Sequence, residues 1–351
     1  MIVVIADDLS GAAELAGAAV RHGLSAEVQT VFFPGTNAEV VCVDTDSRLL
    51  PPADAARRVA AVTRSVMAAK PEWIFKKCDS VLRGPVLAEA RAVAEAAGNP
   101  RILLVPANPS RGRTIRAGTY LLAGQPLNET FFASDPSHLR WTAEVRALLD
   151  GDLAQITVPD ILTPGDVRFQ AGIMDAETLP VGAADFFTAL LMVRVRQRIS
   201  QRDSIPTTGK TLLVCGSASS WPTRSVPARA RGIPTFELPH DTSAVVNALR
   251  ASDAVLIGIG TGPSTWDATP AKLNLLLAQS AAAILQQTRV ERLLLEGGAT
   301  AAATIAALGW TRLQTEQVAD SGVAVLRPVA PQPPMLFIKP GSYTWPEALW
   351  A

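Results

Sequence analysis

A chain of 351 residues with 32 lysines and arginines against 32 aspartates and glutamates has a formal net charge of zero, which argues against broad electrostatic capture of nucleic acid or an anionic membrane. Its 48% hydrophobic content excludes a disordered chain. Single cores stop growing near roughly 250–300 residues, so two domains are expected.

Read in chain order, short apolar runs alternate with longer, alanine-rich, helix-like stretches. Ile2–Ala6 is followed by Ser10–Val20, Glu39–Asp44 by Ala53–Ala69, and Trp73–Lys77 by Val86–Ala97, with Arg101–Ala107 next. This alternation predicts an N-terminal, mostly parallel, doubly wound sheet covered by helices on both faces. Thr163–Thr178 reads as irregular, Ala183–Arg198 as a helix, and Ser204–Gly209 as the linker. The alternation then restarts as a second α/β domain, with strands at Leu212–Cys215, Ala254–Ile259, Arg292–Leu295 and Met335–Ile338. Thr269-Pro270 has N-cap and first-turn chemistry for a helix running to about Thr288. Ala299–Leu308 reads as a last helix, with Gly309 where a C-cap is expected.

In open α/β sheets ligands bind beyond the carboxyl ends of the strands. Those positions hold Asp7-Asp8, then Asp44-Thr-Asp46-Ser-Arg48, then Lys76-Lys77-Cys-Asp79-Ser-Val-Leu-Arg83-Gly84, then Pro106-Ala-Asn108-Pro-Ser110-Arg111-Gly-Arg113-Thr114. Taken singly, each is ordinary capping or a solvated loop charge. Four in succession predict a crevice in which cations meet an anionic ligand and a carboxylate takes a proton from a hydroxyl. A small, anionic, hydroxylated substrate follows. In the second half, Gly216-Ser217-Ala-Ser219 and Glu296-Gly297-Gly298-Ala299-Thr300 each follow a strand, the second opening a helix whose amides favour phosphate. Lys339-Pro-Gly341-Ser offers a third wall.

Other chemistries fit poorly. Gly209-Lys210-Thr211 lacks the earlier glycine of a P-loop and precedes a strand, while Gly258-Ile-Gly260-Thr-Gly262-Pro263 misses the dinucleotide spacing. Cys42, Cys78 and Cys215 form neither a disulfide framework nor a zinc spacing, and His22, His138 and His240 are isolated. There is no nucleophile elbow and no tryptophan stacking platform. No run approaches the roughly 18 apolar residues of a membrane span, and Met1–Ala6 has no basic flank, so it does not read as a signal peptide. A cytoplasmic protein is expected.

Taken together, Ile5-Ala-Asp-Asp-Leu-Ser-Gly-Ala-Ala13, Asp44-Thr-Asp-Ser-Arg48, Lys76-Lys-Cys-Asp-Ser-Val-Leu-Arg-Gly84, Pro106-Ala-Asn-Pro-Ser-Arg-Gly-Arg-Thr114 and Asp135-Pro136 occur in the order of a known family. The chain resembles the four-carbon acid sugar kinases, which phosphorylate tetronates or oxo-tetronates with ATP. The resemblance covers nearly the whole length. It implies a sugar-acid domain (1–205) and a nucleotide-binding domain (206–351) facing each other across a cleft, with ATP and Mg²⁺ as cofactors. By similarity Asp8, Arg48, Lys76, Asp79 and Arg83 line the acid-sugar site, and Ser217, Gly297–Thr300 and Gly341 hold ATP. The chain departs from the family pattern at Trp221-Pro222, at Ala299 and at Ser342-Tyr343-Thr344, and it is shortened between Thr163 and Ala183.

The expected catalytic residues are therefore Asp8, Asp79 and Lys76. The expected substrate contacts are Asp7, Ser10, Asp46, Arg48, Lys77, Arg83, Asn108 and Arg113. The expected nucleotide contacts are Gly216, Ser217, Gly297, Gly298, Ala299, Thr300, Lys339 and Gly341, and no residue is assigned to a resident metal. Arg48 or Arg83 is expected to grip a carboxylate, Lys76 or Lys77 to balance developing charge, and Asp8 or Asp79 to act as base. The partner is a small sugar acid, with no nucleic acid, no membrane, and a homodimer left open. A nucleotide- or metabolite-binding regulator on the same scaffold is the alternative, and a nicotinamide-dependent dehydrogenase, which lacks its glycine fingerprint here, ranks third.

Overall fold

A computed structural model describes residues 1–134, 141–196, 208–218, 220–262, 269–318, 323–339 and 345. The expected linker at Ser204–Gly209 falls mostly outside them. The chain divides into two compact units, Met1–Ser200 and Gln201–Ala351, and both are α/β.

The first unit runs β1 (Ile2–Ala6), α1 (Leu9–Arg21), β2 (Ala26–Gln29), β3 (Val40–Asp44), α2 (Pro52–Ala68), β4 (Trp73–Lys77), α3 (Val86–Ala97) and β5 (Arg101–Val105). An antiparallel ribbon follows, β6 (Arg113–Arg116), β7 (Thr119–Leu122) and β8 (Gln125–Pro126), and then α4 (Val145–Leu149), β9 (Ile156–Thr157), α5 (Pro164–Gly172), β10 (Thr178–Gly182) and α6 (Ala184–Arg194). The main strands are all parallel, in the order β2-β3-β1-β4-β10-β5-β9. Ile-Val-Val-Ile-Ala in β1 and Val-Val-Cys-Val-Asp in β3 are buried throughout, as strands covered on both faces must be.

From β1 the chain passes through α1 to β2 on one side; from β3 it passes through α2 to β4 on the other. Right-handed crossovers in opposite directions put α1 and α2 on opposite faces. Accordingly α2 packs on α3, while α1 packs on α6 and α6 on α5. The strand order therefore reverses at β1, and the crevice of an open sheet opens at that point, beyond the carboxyl ends of β1, β3 and β4.

The stretch expected to be irregular contains α5, opened by a capping box in which Thr163 and Asp166 bond each other's backbone, and it leads into β10 between β4 and β5. Pro180 and Gly182 weaken the strand signal of β10. Gly182 is required there because a Cβ would collide with the Val105 carbonyl.

The second unit runs β11 (Thr211–Cys215), α7 (Trp221–Ala230), β12 (Thr235–Glu237), α8 (Thr242–Ala251), β13 (Ala254–Gly258), α9 (Pro270–Gln287), β14 (Arg292–Glu296), α10 (Gly298–Ala307), β15 (Arg312–Val318), β16 (Ala324–Pro328) and β17 (Met335–Lys339). Strands β12, β13, β11, β14 and β17 are parallel neighbours in that order, and β16 and β15 continue them antiparallel. Thr269 caps α9 by accepting from the Lys272 amide at 3.3 Å. Leu213, Trp221, Leu256, Leu294 and Phe337 share the core of this unit.

Candidate active site

The loop after β3 returns Arg48 to the end of β1, where its backbone N–H donates to the Asp7 carbonyl at 3.2 Å. The guanidinium then meets three carboxylates. Nε donates to Asp7 at 2.7 Å, Nη1 and Nη2 donate to the two oxygens of Asp8 at 2.9 and 2.6 Å, and Asp79 lies 3.8 Å away. Asp8 is also the N-cap of α1, accepting from the Gly11 amide at 2.9 Å and from the Ser10 hydroxyl. Gly11 matters because a Cβ there would come within 2.6 Å of Asp8 and 3.2 Å of the Lys77 ammonium. Asp79 holds Arg83 side-on, at 3.0 Å from Nε and 2.8 Å from Nη2, and accepts from the amides of Val81 and Arg83.

Burial opposes ionisation of Asp79, but Arg48 and Arg83 outweigh it and hold the carboxyl far below the usual carboxylate range. Burial is likewise overcome at Asp7, by Arg48 with Lys76 and Lys77, so its carboxyl also lies low. Asp44 is the opposite case. Burial pushes its carboxyl up to about 8 despite the Asp46 amide it accepts at 2.8 Å, and the charges of Asp8, Asp46 and Asp7 add to the rise. Asp46 has a positive φ of 45°, and its exposed side chain stands 4.0 Å from Arg58.

Lys76 and Lys77 are neighbours on a strand, so they enter opposite faces. Lys77 goes to the α1 face, donating to the Cys78 carbonyl at 2.7 Å beside Glu14 at 4.0 Å. Burial lowers the basicity of this ammonium, but Glu14, Asp7 and Asp8 more than restore it and raise it above the ordinary lysine value. Lys76, expected in the catalytic set, instead pairs with Glu89 of α3 at 2.7 Å, both side chains being 2% exposed or less. Glu89 also accepts from Ser47 at 2.5 Å, and Ser47 shares a hydrogen bond with Thr45 at 2.8 Å. This network pins the loop that carries Arg48.

After β5, Asn108 exchanges backbone hydrogen bonds with Arg113 and accepts from the Asp185 amide at 2.8 Å, so its role here is to hold the base of the β6 ribbon. Arg113 donates from Nη1 to the Ser80 hydroxyl, and Tyr120 donates to the Ser80 carbonyl. The guanidinium carbons of Arg83 and Arg113 lie 5.6 and 5.9 Å from the centroid of the Phe132 ring. The structure thus brings together Asp7, Asp8, Ser10, Arg48, Lys77, Asp79 and Arg83, and places Arg113 next to Asp79 through Ser80. The sequence reading missed Ser47, Ser80, Glu89, Tyr120 and Phe132.

In the second unit Gly216 ends at α10 with no room for a side chain, since a Cβ would strike the Thr300 hydroxyl, which donates to Asn274 at 2.9 Å. Gly297, at φ +101°, is the N-cap of α10; no side chain caps it and no acidic residue stands in the first turn. The amide end of α10 at Gly298, Ala299 and Thr300 therefore suits an anion such as phosphate. Ser217 accepts from the Ser220 amide at 3.2 Å. Lys339, expected to touch nucleotide, is fully buried and lies 3.1 Å from Glu296, whose other oxygen accepts from Arg224 at 2.9 Å and Trp345 at 3.0 Å. Gly341, Asp135 and Pro136 lie outside the described residues.

Comparison with known proteins adds four findings. A family profile described as a sugar-binding N-terminal domain matches residues 2–219. A D-threonate kinase of Bordetella bronchiseptica is 33% identical over 222 residues, 55% of this chain and 55% of the relative, so the chain spans about half the length of that protein. A D-threonate kinase of Cupriavidus necator is 28% identical over 99% of this chain and 96% of its own. Among solved structures, a protein from Salmonella typhimurium LT2 has the same fold, with a TM-score of 0.81 at 18% identity over 99% of this chain and 97% of that one.

Proposed function

The chain belongs to the family of the sugar-binding N-terminal domain, the four-carbon acid sugar kinases, and on that premise we propose that it transfers the terminal phosphoryl group of ATP to a terminal hydroxyl of a four-carbon sugar acid of the threonate, erythronate or 3-oxo-tetronate type. The observation that carries this reading is the Arg48 cluster: three carboxylates and two guanidiniums from three separate segments meet where the strand order reverses. Capping alone asks for no such convergence.

Phosphoryl transfer demands alignment and charge stabilisation more than covalent chemistry by the protein. Asp8 is the most open carboxylate of the cluster, its side chain 18% exposed against 7% for Asp79 and 3% for Asp7, so it is assigned to orient the attacking hydroxyl and take its proton. Arg48, bidentate on Asp8, fixes the direction of that carboxylate. Lys77, a cation on the same face, offsets the negative charge of the approaching phosphate. Gly216, Ser217 and the amide end of α10 from Gly297 to Thr300 are assigned to hold the nucleotide phosphates. ATP supplies the phosphoryl group, and Mg²⁺ accompanies the triphosphate to neutralise part of its charge.

The test is ATP consumption over a panel of tetronates and 3-oxo-tetronates by the wild type and Asp8→Ala. General-base removal lowers kcat by about 10²–10⁴-fold. Turnover of no panel member, with a nucleotide or sugar acid still raising the melting temperature, would replace this reading by that of a binding regulator. Wild-type kcat in Asp8→Ala would remove the base assignment alone.

A further inference from the structure

The sheet of the second unit also has a point where its order reverses. From β11 the chain passes through α7 to β12 on one side, and from β14 it passes through α10 to β15 on the other. Right-handed crossovers in opposite directions put α7 and α10 on opposite faces. A crevice therefore opens beyond the carboxyl ends of β11 and β14, where Gly216 and Gly297 follow the strands. Neither helix is capped by a side chain at its N-terminus, and neither has an acidic residue in its first turn.

One cation is built into this place. Arg224, the fourth residue of α7, donates from Nε to Glu296 Oε2 at 2.9 Å. Glu296 ends β14 in register with Cys215 of β11, so the anchor stands one residue from both Gly216 and Gly297. Burial opposes ionisation of Glu296, but Arg224 and Lys339 outweigh it and hold the carboxyl below its ordinary value. That carboxylate is fully engaged. Oε2 also accepts from Trp345 Nε1 at 3.0 Å, and Oε1 faces the Lys339 ammonium at 3.1 Å, so one negative charge is divided between two cations. Lys339 is fully buried and Glu296 is 3% exposed, whereas the Arg224 side chain is 20% exposed. Its Nη1 and Nη2 have no acceptor among the described residues and are not sealed from solvent. A cation near the amide end of a helix works against the helix dipole, so α7 alone does not account for an arginine here.

We propose that Arg224 binds the phosphates of ATP through Nη1 and Nη2, its direction fixed by Nε on Glu296, and is thus a nucleotide contact of the second unit in addition to Gly216, Ser217 and α10. This deepens the kinase reading above and rests on it. Phosphate oxygens give the two free nitrogens their acceptors, and the planar guanidinium can hold Glu296 on one edge and a phosphate on another, which a lysine cannot do.

The experiment is calorimetric titration of ATP, ADP and adenosine, with Mg²⁺ and without sugar acid, into the full chain as wild type, Arg224→Met and Arg224→Lys. Losing hydrogen bonds to a charged group corresponds to roughly 10- to 100-fold in binding, so Arg224→Met weakens ATP and ADP by about that factor and leaves adenosine unchanged. Arg224→Lys, with the charge but not the anchored fork, falls between. Unchanged affinity for ATP in Arg224→Met, or an equal loss for adenosine, overturns the assignment. A crystal structure of the wild type with ADP decides without any variant: a phosphate oxygen on Nη1 or Nη2 supports the proposal, and phosphates seated at Gly216 and α10 with Arg224 bare overturn it. If the wild type phosphorylates no sugar acid yet Arg224→Met loses ATP, the kinase reading fails and this one stands; turnover with the same KM for ATP in wild type and Arg224→Met gives the reverse.

Discussion

Glu89→Gln isolates the cost of an unpaired charge beneath the Arg48 loop. Lys76 and Glu89 are 2.7 Å apart and almost wholly buried, and Lys76 has one further partner, the Lys77 carbonyl at 2.6 Å. Breaking such a pair from one side leaves an uncompensated buried ammonium and costs about 3–5 kcal/mol. At roughly 2–4 °C per kcal/mol for a unit of about 200 residues, the melting temperature falls by roughly 6–20 °C. The double variant Lys76→Met, Glu89→Leu removes both charges and recovers most of that loss, because an apolar pair of similar volume is often as stable as the ion pair. Urea unfolding followed by circular dichroism measures all three proteins. A loss below about 1 kcal/mol in Glu89→Gln, or a double variant as unstable as the single, would show that the pair is not carrying a buried charge, whatever its geometry.

Three further outcomes follow from the same chemistry. Asp44, with its carboxyl raised to about 8, contributes stability that is full below the ordinary carboxyl value and is lost as pH rises through about 8; Asp44→Asn therefore flattens the fall in stability between pH 5 and 9, read from melts across that range. Asp7 and Asp79 are held low with Arg48 as their strongest cation, so their contribution is present above the ordinary carboxyl value and lost on acidification; Arg48→Met moves acid unfolding to higher pH, seen in a fluorescence titration. Gly216→Ala drives a methyl group into the Thr300 hydroxyl and costs about 1–3 kcal/mol of overpacking, which Thr300→Ala relieves only in part because the Cβ of residue 300 and the Asn274 Oδ1 still crowd the methyl group; thermal melts of the single and double variants check it.

Much of this was visible in the amino-acid order because the strands are apolar runs and the site sits where they stop. Ile2–Ala6 and Val40–Asp44 could be placed from burial logic alone, and with them Asp7, Asp8 and Arg48. What strand order could not convey was partner choice. Lys76 and Lys77 read alike, yet alternation sends one to Glu89 and the other to the α1 face; period two would have warned that the pair cannot share a job. Glu89 sits in an alanine-rich helix, where a lone glutamate resembles a solvated residue. Lys339 ends β17 as Lys77 ends β4, but Glu296 folds it inward. Phe132 and Tyr120 lie in a stretch without periodicity, and only tertiary contact with Ser80 and the two guanidiniums gives them meaning.

The insertion of β10 between β4 and β5 carries a consequence for synthesis on the ribosome. β4 and β5 leave the exit tunnel early, yet neither gains its shared neighbour until residue 182 has emerged. Until then two apolar edges wait unpaired, open to pairing wrongly with each other or with another nascent chain. The strand that bears Lys77 and leads to Asp79 thus gains its last sheet neighbour late, when most of the first unit already exists.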